Sequence, residues 1–134
     1  FGEANVVREG GDVTIVTYGL MVQYSLTAAE TLKKEGIEVE VIDLRTLSPI
    51  DMDTVIESVE KTGRLVCVDE AHPRCSIAAD VSACVARDAF RALKAPIEMV
   101  TAPHSPVPFS PALEDLYIPS PEKIAAAVRK TMEA

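Results

Sequence analysis

Basic charge is what this chain has least to spare. Against 21 acidic side chains stand 13 lysines and arginines, leaving a formal net charge of −8. That balance argues against a general binder of phosphate backbones, which needs a basic surface to displace counterions. Glycine is also scarce, with six residues in all, and none is arranged for nucleotide binding. After the first strong strand comes Tyr18-Gly19-Leu20-Met21-Val22, one glycine where a dinucleotide fingerprint needs three. Neither a phosphate loop nor a nucleophile elbow is written anywhere. The three cysteines, Cys67, Cys75 and Cys84, are an odd set without zinc-like spacing. They read as reduced thiols of a reducing compartment, Cys67 and Cys84 as small core hydrophobes and Cys75 as an unreactive thiol. No apolar run approaches the roughly 20 residues that a helix needs to cross hydrocarbon, so no membrane span is expected. Internal repeats and low-complexity segments are missing too.

What is present is the pattern of one ordinary α/β domain. The 134 residues, 48% hydrophobic and 25% charged, suffice for a sizeable core and place the whole chain, 1–134, in a single domain. After a possible edge strand at Asn5 to Arg8, Val13 to Thr17 is nearly continuous and β-branched, as a strand covered on both faces should be. Val22, Leu26, Ala29 and Leu32 follow at helical spacing, and Gly36 suits a left-handed C-terminal cap. A second strong strand, Val39 to Leu44, leads through Pro49 to an N-cap at Asp51. The helix beyond turns Val55, Ile56 and Val59 inward and stops near Gly63. Leu65 to Val68 is the next strand, and Ser76 caps a helix whose inner stripe is Ile77, Val81, Cys84 and Val85. Ile97 to Val100 is the last strand. Ser120, Pro121 and Glu122 open a final helix with Ile124, Val128 and Met132 on its apolar face.

Strands alternating with helices require crossover connections, which predicts a mainly parallel sheet with helices on both faces, a three-layer α/β/α architecture. Pro103 to Pro121 reads as the one irregular stretch. It holds Pro103, Pro106, Pro108, Pro111, Pro119 and Pro121 of the nine prolines, and their locked φ angles favour a stiff extended loop. Ligands of open α/β sheets gather beyond the carboxyl ends of the strands. Here those ends present Tyr18, Gly19, Arg45, Thr46, Asp69, Glu70, His72, Arg74 and His104. Carboxylate and imidazole together are suitable metal ligands and proton carriers. Their spacing matches no metal motif, and such residues more often make structural hydrogen bonds or line an interface. No metal site is therefore expected.

Five stretches carry a family resemblance. They are Gly10-Gly11-Asp12-Val13-Thr14-Ile15-Val16-Thr17-Tyr18-Gly19, Glu38 to Asp51 (EVEVIDLRTLSPID), Ser58 to Glu70 (SVEKTGRLVCVDE), Leu93-Lys94-Ala95-Pro96-Ile97, and Pro106 to Glu114 (PVPFSPALE) followed by Ile118-Pro119. In this order they resemble the C-terminal, transketolase-like domain of the beta subunit of thiamin-diphosphate-dependent 2-oxoacid or acetoin dehydrogenases. The resemblance implies a five-stranded sheet with its first strand antiparallel at the edge. It further implies a piece excised from a longer chain, in keeping with an opening Phe1-Gly2-Glu3-Ala4 that has no initiator methionine.

In that family the cofactor-activating glutamate lies in the preceding domain, and nothing in this chain matches it. Catalytic, cofactor-binding and metal residues are therefore expected to be none, with thiamin diphosphate and magnesium belonging to the parent enzyme. The implied role is non-catalytic assembly: contacts with the alpha subunit and a second beta subunit in a heterotetramer, and docking of the lipoyl acyltransferase core. The implied setting is bacterial cytoplasm or the mitochondrial matrix. Candidate interface residues are Glu70, His72, Arg74, His104, Phe109, Glu114, Asp115 and Tyr117. Pro73-Arg74-Cys75-Ser76, together with Ala102-Pro103-His104 before the proline-rich stretch, leans toward the acetoin or pyruvate type over the branched-chain type. Two alternatives stand beside this one: a stand-alone module binding a small ligand near Arg45, Glu70 and His104, and the third domain of another transketolase-like enzyme.

Overall fold

The computed structural model describes residues 2–134. Five strands, β1 (Asn5–Arg8), β2 (Val13–Thr17), β3 (Val39–Asp43), β4 (Leu65–Val68) and β5 (Glu98–Val100), form one sheet in the order β1-β3-β2-β4-β5. β1 runs antiparallel to β3 at one edge, and every other pairing is parallel. The helices are α1 (Leu20–Lys33), α2 (Met52–Thr62), α3 (Ile77–Asp88), α4 (Pro111–Tyr117) and α5 (Pro121–Glu133), with a single 3₁₀ turn at Phe90–Ala92.

The sheet's alternation sorts its side chains into two cores. On one face Val13 and Ile15 of β2, Val39 and Val41 of β3, and Val66 and Val68 of β4 pack against Met21, Ala29 and Leu32 of α1 and Ile124 and Val128 of α5. On the other, Val16, Ile42, Leu65 and Cys67 meet Val55 and Val59 of α2 and Val81 and Val85 of α3. β2 is buried along its whole length because both layers cover it. Gly10 lets the β1–β2 turn cross β3: a Cβ there would lie 2.4 Å from the Val39 carbonyl carbon.

Caps fix the helix ends. Asp51 accepts from the Thr54 amide at 3.1 Å, Ser76 from Ala79 at 3.1 Å and Ser120 from Lys123 at 3.2 Å. α2 closes on Gly63, left-handed at φ 76°, whose amide donates to the Val59 carbonyl at 2.7 Å. At the end of α1, Ile37 N donates to Leu32 O and Gly36 N to Lys33 O, both at 3.0 Å.

Three expectations need correction. The stretch from Pro103 to Pro121 is not irregular throughout, for Pro111 sits in the first turn of α4, where its missing N–H costs no hydrogen bond. Cys84 is only half-buried, and Ala78 takes the inner place on α3. The strands are each one residue shorter than expected at β3 and β5, although the Leu44 amide still reaches the Thr17 carbonyl at 2.9 Å.

Candidate functional site

The sheet reverses its strand order on either side of β2, so a ligand crevice is expected beyond the carboxyl ends of β2 and β4. Side chains close that position. Asp69, 1% exposed, follows β4. Its Oδ1 accepts from the Tyr18 hydroxyl at 2.8 Å and the Ala71 amide at 3.0 Å, and its Oδ2 accepts from the Ala78 amide at 3.2 Å, inside the first turn of α3. The Thr17 hydroxyl adds a bond to the Val68 carbonyl at 3.0 Å. Burial, then the hydrogen bond to Asp69 and the charges of Asp69 and Glu70, push the Tyr18 pKa far above its ordinary value. The phenol thus keeps its proton, and the carboxylate accepts three hydrogen bonds from the protein. Both groups are committed to tying the ends of β2 and β4 to the start of α3.

Outward of this plug, a second cluster ties two loops together. Tyr117, the last residue of α4 and 8% exposed, donates its single hydroxyl proton to the Ser105 carbonyl at 2.8 Å. His72 Nε2 lies 3.0 Å from the Tyr117 hydroxyl oxygen and, that hydroxyl's proton being committed, must be the donor to it. The His104 ring stands edge-on to His72, centroids 5.3 Å apart at 75°. The structure thus brings His72, His104 and Tyr117 together as a latch between the β4–α3 loop and the segment that carries α4. Glu70 and Arg74 lie exposed on the same loop. Among the described residues, no three of His, Cys, Asp and Glu converge closely enough to hold a metal ion. Cys75 is exposed and left-handed at φ 51°, whereas burial pushes the Cys67 thiol up to about 12.

The latch presents a ridge. Phe109 is completely exposed, and beside it Val107, Leu113 and Leu116 are 64%, 56% and 72% exposed. Glu114 and Asp115 stand exposed on the same short helix. Large apolar side chains turned to water beside exposed carboxylates make this ridge the candidate interface of the molecule. Sequence reasoning singled out Phe109, Glu114 and Asp115 and missed Val107, Leu113 and Leu116. The i, i+4, i+7 spacing of Phe109, Leu113 and Leu116 was the available signal.

Comparisons with known proteins agree on one family. Residues 2–124 match the model described as "Transketolase, C-terminal domain". The acetoin:2,6-dichlorophenolindophenol oxidoreductase subunit beta of Cupriavidus necator is 74% identical over 133 residues, 99% of this chain and 39% of that protein. The pyruvate dehydrogenase E1 component subunit beta of Bacillus subtilis is 48% identical over 132 residues, 98% of this chain and 40% of that protein. Among solved structures, a split-gene transketolase described as an inactive beta4 tetramer superposes with a TM-score of 0.86 at 31% identity, covering 98% of this chain and 42% of that one. The chain therefore spans about two-fifths of the length of the relatives it matches.

Proposed function

This chain belongs to the transketolase C-terminal domain family, and from that premise we propose that it is the non-catalytic assembly domain of the beta subunit of a thiamin-diphosphate-dependent dehydrogenase of the acetoin or pyruvate type. The observation that carries this is the exposed ridge of Val107, Phe109, Leu113 and Leu116, an apolar surface of the kind that contacts bury. Identity to the beta subunits of acetoin and pyruvate enzymes supports the parent's class. The parent would decarboxylate a 2-oxo acid, or cleave acetoin, and pass the acyl group to a lipoyl arm in the bacterial cytoplasm or a mitochondrial matrix.

The residues at the strand ends do not suit thiamin diphosphate or magnesium. Their buried carboxylate, Asp69, is already bonded to Tyr18 and two amides, and among the described residues no three of His, Cys, Asp and Glu gather to hold a metal ion. On the proposed reading the cofactor and its ion belong to the rest of the parent enzyme, and this domain contributes no chemical step. Its contribution is to hold subunits in register. The ridge meets the alpha subunit or the second beta subunit of a heterotetramer, with Phe109 as the aromatic anchor. Glu114, Asp115 and the exposed Glu70 offer carboxylates to basic groups of the lipoyl acyltransferase core, where charge steers the encounter. The His72–His104–Tyr117 latch holds the loops that present them, and Arg74 stands exposed beside Glu70 on the β4–α3 loop as a further contact group.

Phe109→Ser with Leu113→Ser, placed in the full-length beta subunit and expressed with its alpha subunit, tests the reading by sedimentation velocity. Expected is a shift from heterotetramer to smaller species while the monomer's circular dichroism stays native. Undiminished assembly would remove the ridge from the interface and the reading with it.

A further inference from the structure

The opposite end of the sheet carries a surface of contrary charge. Between α3 and β5 the 3₁₀ turn leaves Phe90 70% exposed. Phe90 borders a hollow of about 600 Å³ whose floor includes Leu93, Pro96 and Ile97 and whose polar lining is Arg91 and Lys94, with no carboxylate. The chain as a whole carries a net charge of −8, yet among the described residues neither Arg91 nor Lys94 enters an ion pair. Arg91 also borders a second hollow lined by Glu60, Arg87 and Asp88, but there Arg87 already holds Asp88, and in the Phe90 hollow Arg91 and Lys94 are the only charged groups in the lining.

Lys94 is also held in place. Its amide donates to the Gly63 carbonyl at 2.7 Å. Its aliphatic stem lies over Gly63 so closely that a Cβ there would come within 2.9 Å of three of its carbons. The glycine that caps α2 thus also seats the lysine stem at the lip of the hollow. This surface lies at the amino ends of the strands, away from the α4 ridge, so a partner on one does not occlude the other.

We propose that this hollow docks an acidic segment of a partner protein, an aromatic or aliphatic side chain seated against Phe90 and carboxylates meeting Arg91 and Lys94. An apolar floor with a cationic rim selects for apolar and anionic groups on one segment, and the rim charges set its orientation. A long polyanion is disfavoured, because the surrounding acidic surface repels charge that extends beyond the hollow.

The probe is a fluorescein-labelled helical peptide bearing Phe and Leu on one face and Glu on the other, titrated with this chain and followed by anisotropy. Controls replace every Glu by Lys, or every Phe and Leu by Ser. Expected is saturable binding of the acidic peptide alone, weakening as salt is raised. Phe90→Ser, or Arg91→Glu with Lys94→Glu, should each weaken it at least about tenfold, with the melting temperature of the protein unchanged. Phe109→Ser should leave it intact, which separates this surface from the assembly ridge. Absence of saturable binding, equal binding of the Lys peptide, or full binding by the charge-reversed variant would overturn the proposal.

Discussion

Glu40 is a carboxylate built into the sheet, only 3% exposed. It accepts from the Gly10 amide at 3.3 Å, from Ser58 Oγ at 2.6 Å and from the Lys61 ammonium. Ser58 Oγ in turn lies 2.7 Å from Thr14 Oγ1, which meets Thr62 Oγ1 at the same distance. β3 and α2 are thereby joined through polar groups within an otherwise apolar layer, and each group is satisfied, as burial demands. Burial raises the Glu40 pKa, but the hydrogen bonds from Lys61, Ser58 and the Gly10 amide, with the Lys61 charge, outweigh it and hold the group below its ordinary 4.5. A carboxylate so depressed contributes stability that is complete above the ordinary value and drains away as pH falls through the folded one. Glu40→Gln should cost about 1–3 kcal/mol near neutral pH, since the charged hydrogen bonds are lost. It should also remove that part of the acid-side decline, so the melting curves of the two proteins converge as pH drops below 4.5. Thermal melts across that range decide it, and a constant gap would show that Glu40 is not the proton-linked group.

At the scale of elements, what the sequence made legible was what is decided locally. Ser120-Pro121, Asp51 and Gly63 announce helix ends because caps act within one turn. Val13 to Thr17 announces a central strand because it must be apolar on both faces. α4 was hidden because the usual rule is inverted there, its apolar side chains facing water, and because Ser110-Pro111, the same opening as Ser120-Pro121, stands within a run of prolines. The latch was hidden for another reason: His72 and Tyr117 are 45 residues apart, and nothing local to either names the other. The strand-end rule did gather Glu70, His72, Arg74 and His104, yet it could not foresee that Tyr18 and Asp69 close the crevice. If the latch is what holds α4, Tyr117→Phe removes both of its bonds, worth about 1 kcal/mol each. Amide exchange at Glu114 and Ile118, which bond to the Ser110 and Glu114 carbonyls within α4, should then quicken roughly tenfold or more as local opening becomes easier. The amides of β2 should not change. Equal protection of α4 in both proteins would assign its stability to other contacts.

For the molecule as a whole, the two cores share the same strands, and neither half owns a sheet of its own. Ile15 and Ile42 make the point: on adjacent strands one pairing step apart, both are fully buried, yet they face opposite helical layers. A strand cannot leave one layer without uncovering the other, so loss of either core should unfold both. Ile15→Ala and Ile42→Ala should each cost about 2–5 kcal/mol, the range for a buried large-to-small change that leaves a cavity. Each should shift one cooperative transition, with far-ultraviolet dichroism and tyrosine fluorescence melting together. A variant that melts in two steps, one layer before the other, would mean that the sheet survives with a single face covered. The domain would then be two stacked units. The two proposed partner surfaces, which lie at opposite ends of the sheet, depend on the one-unit outcome, because only a sheet that melts as a whole keeps the α4 ridge and the Phe90 hollow in fixed relation.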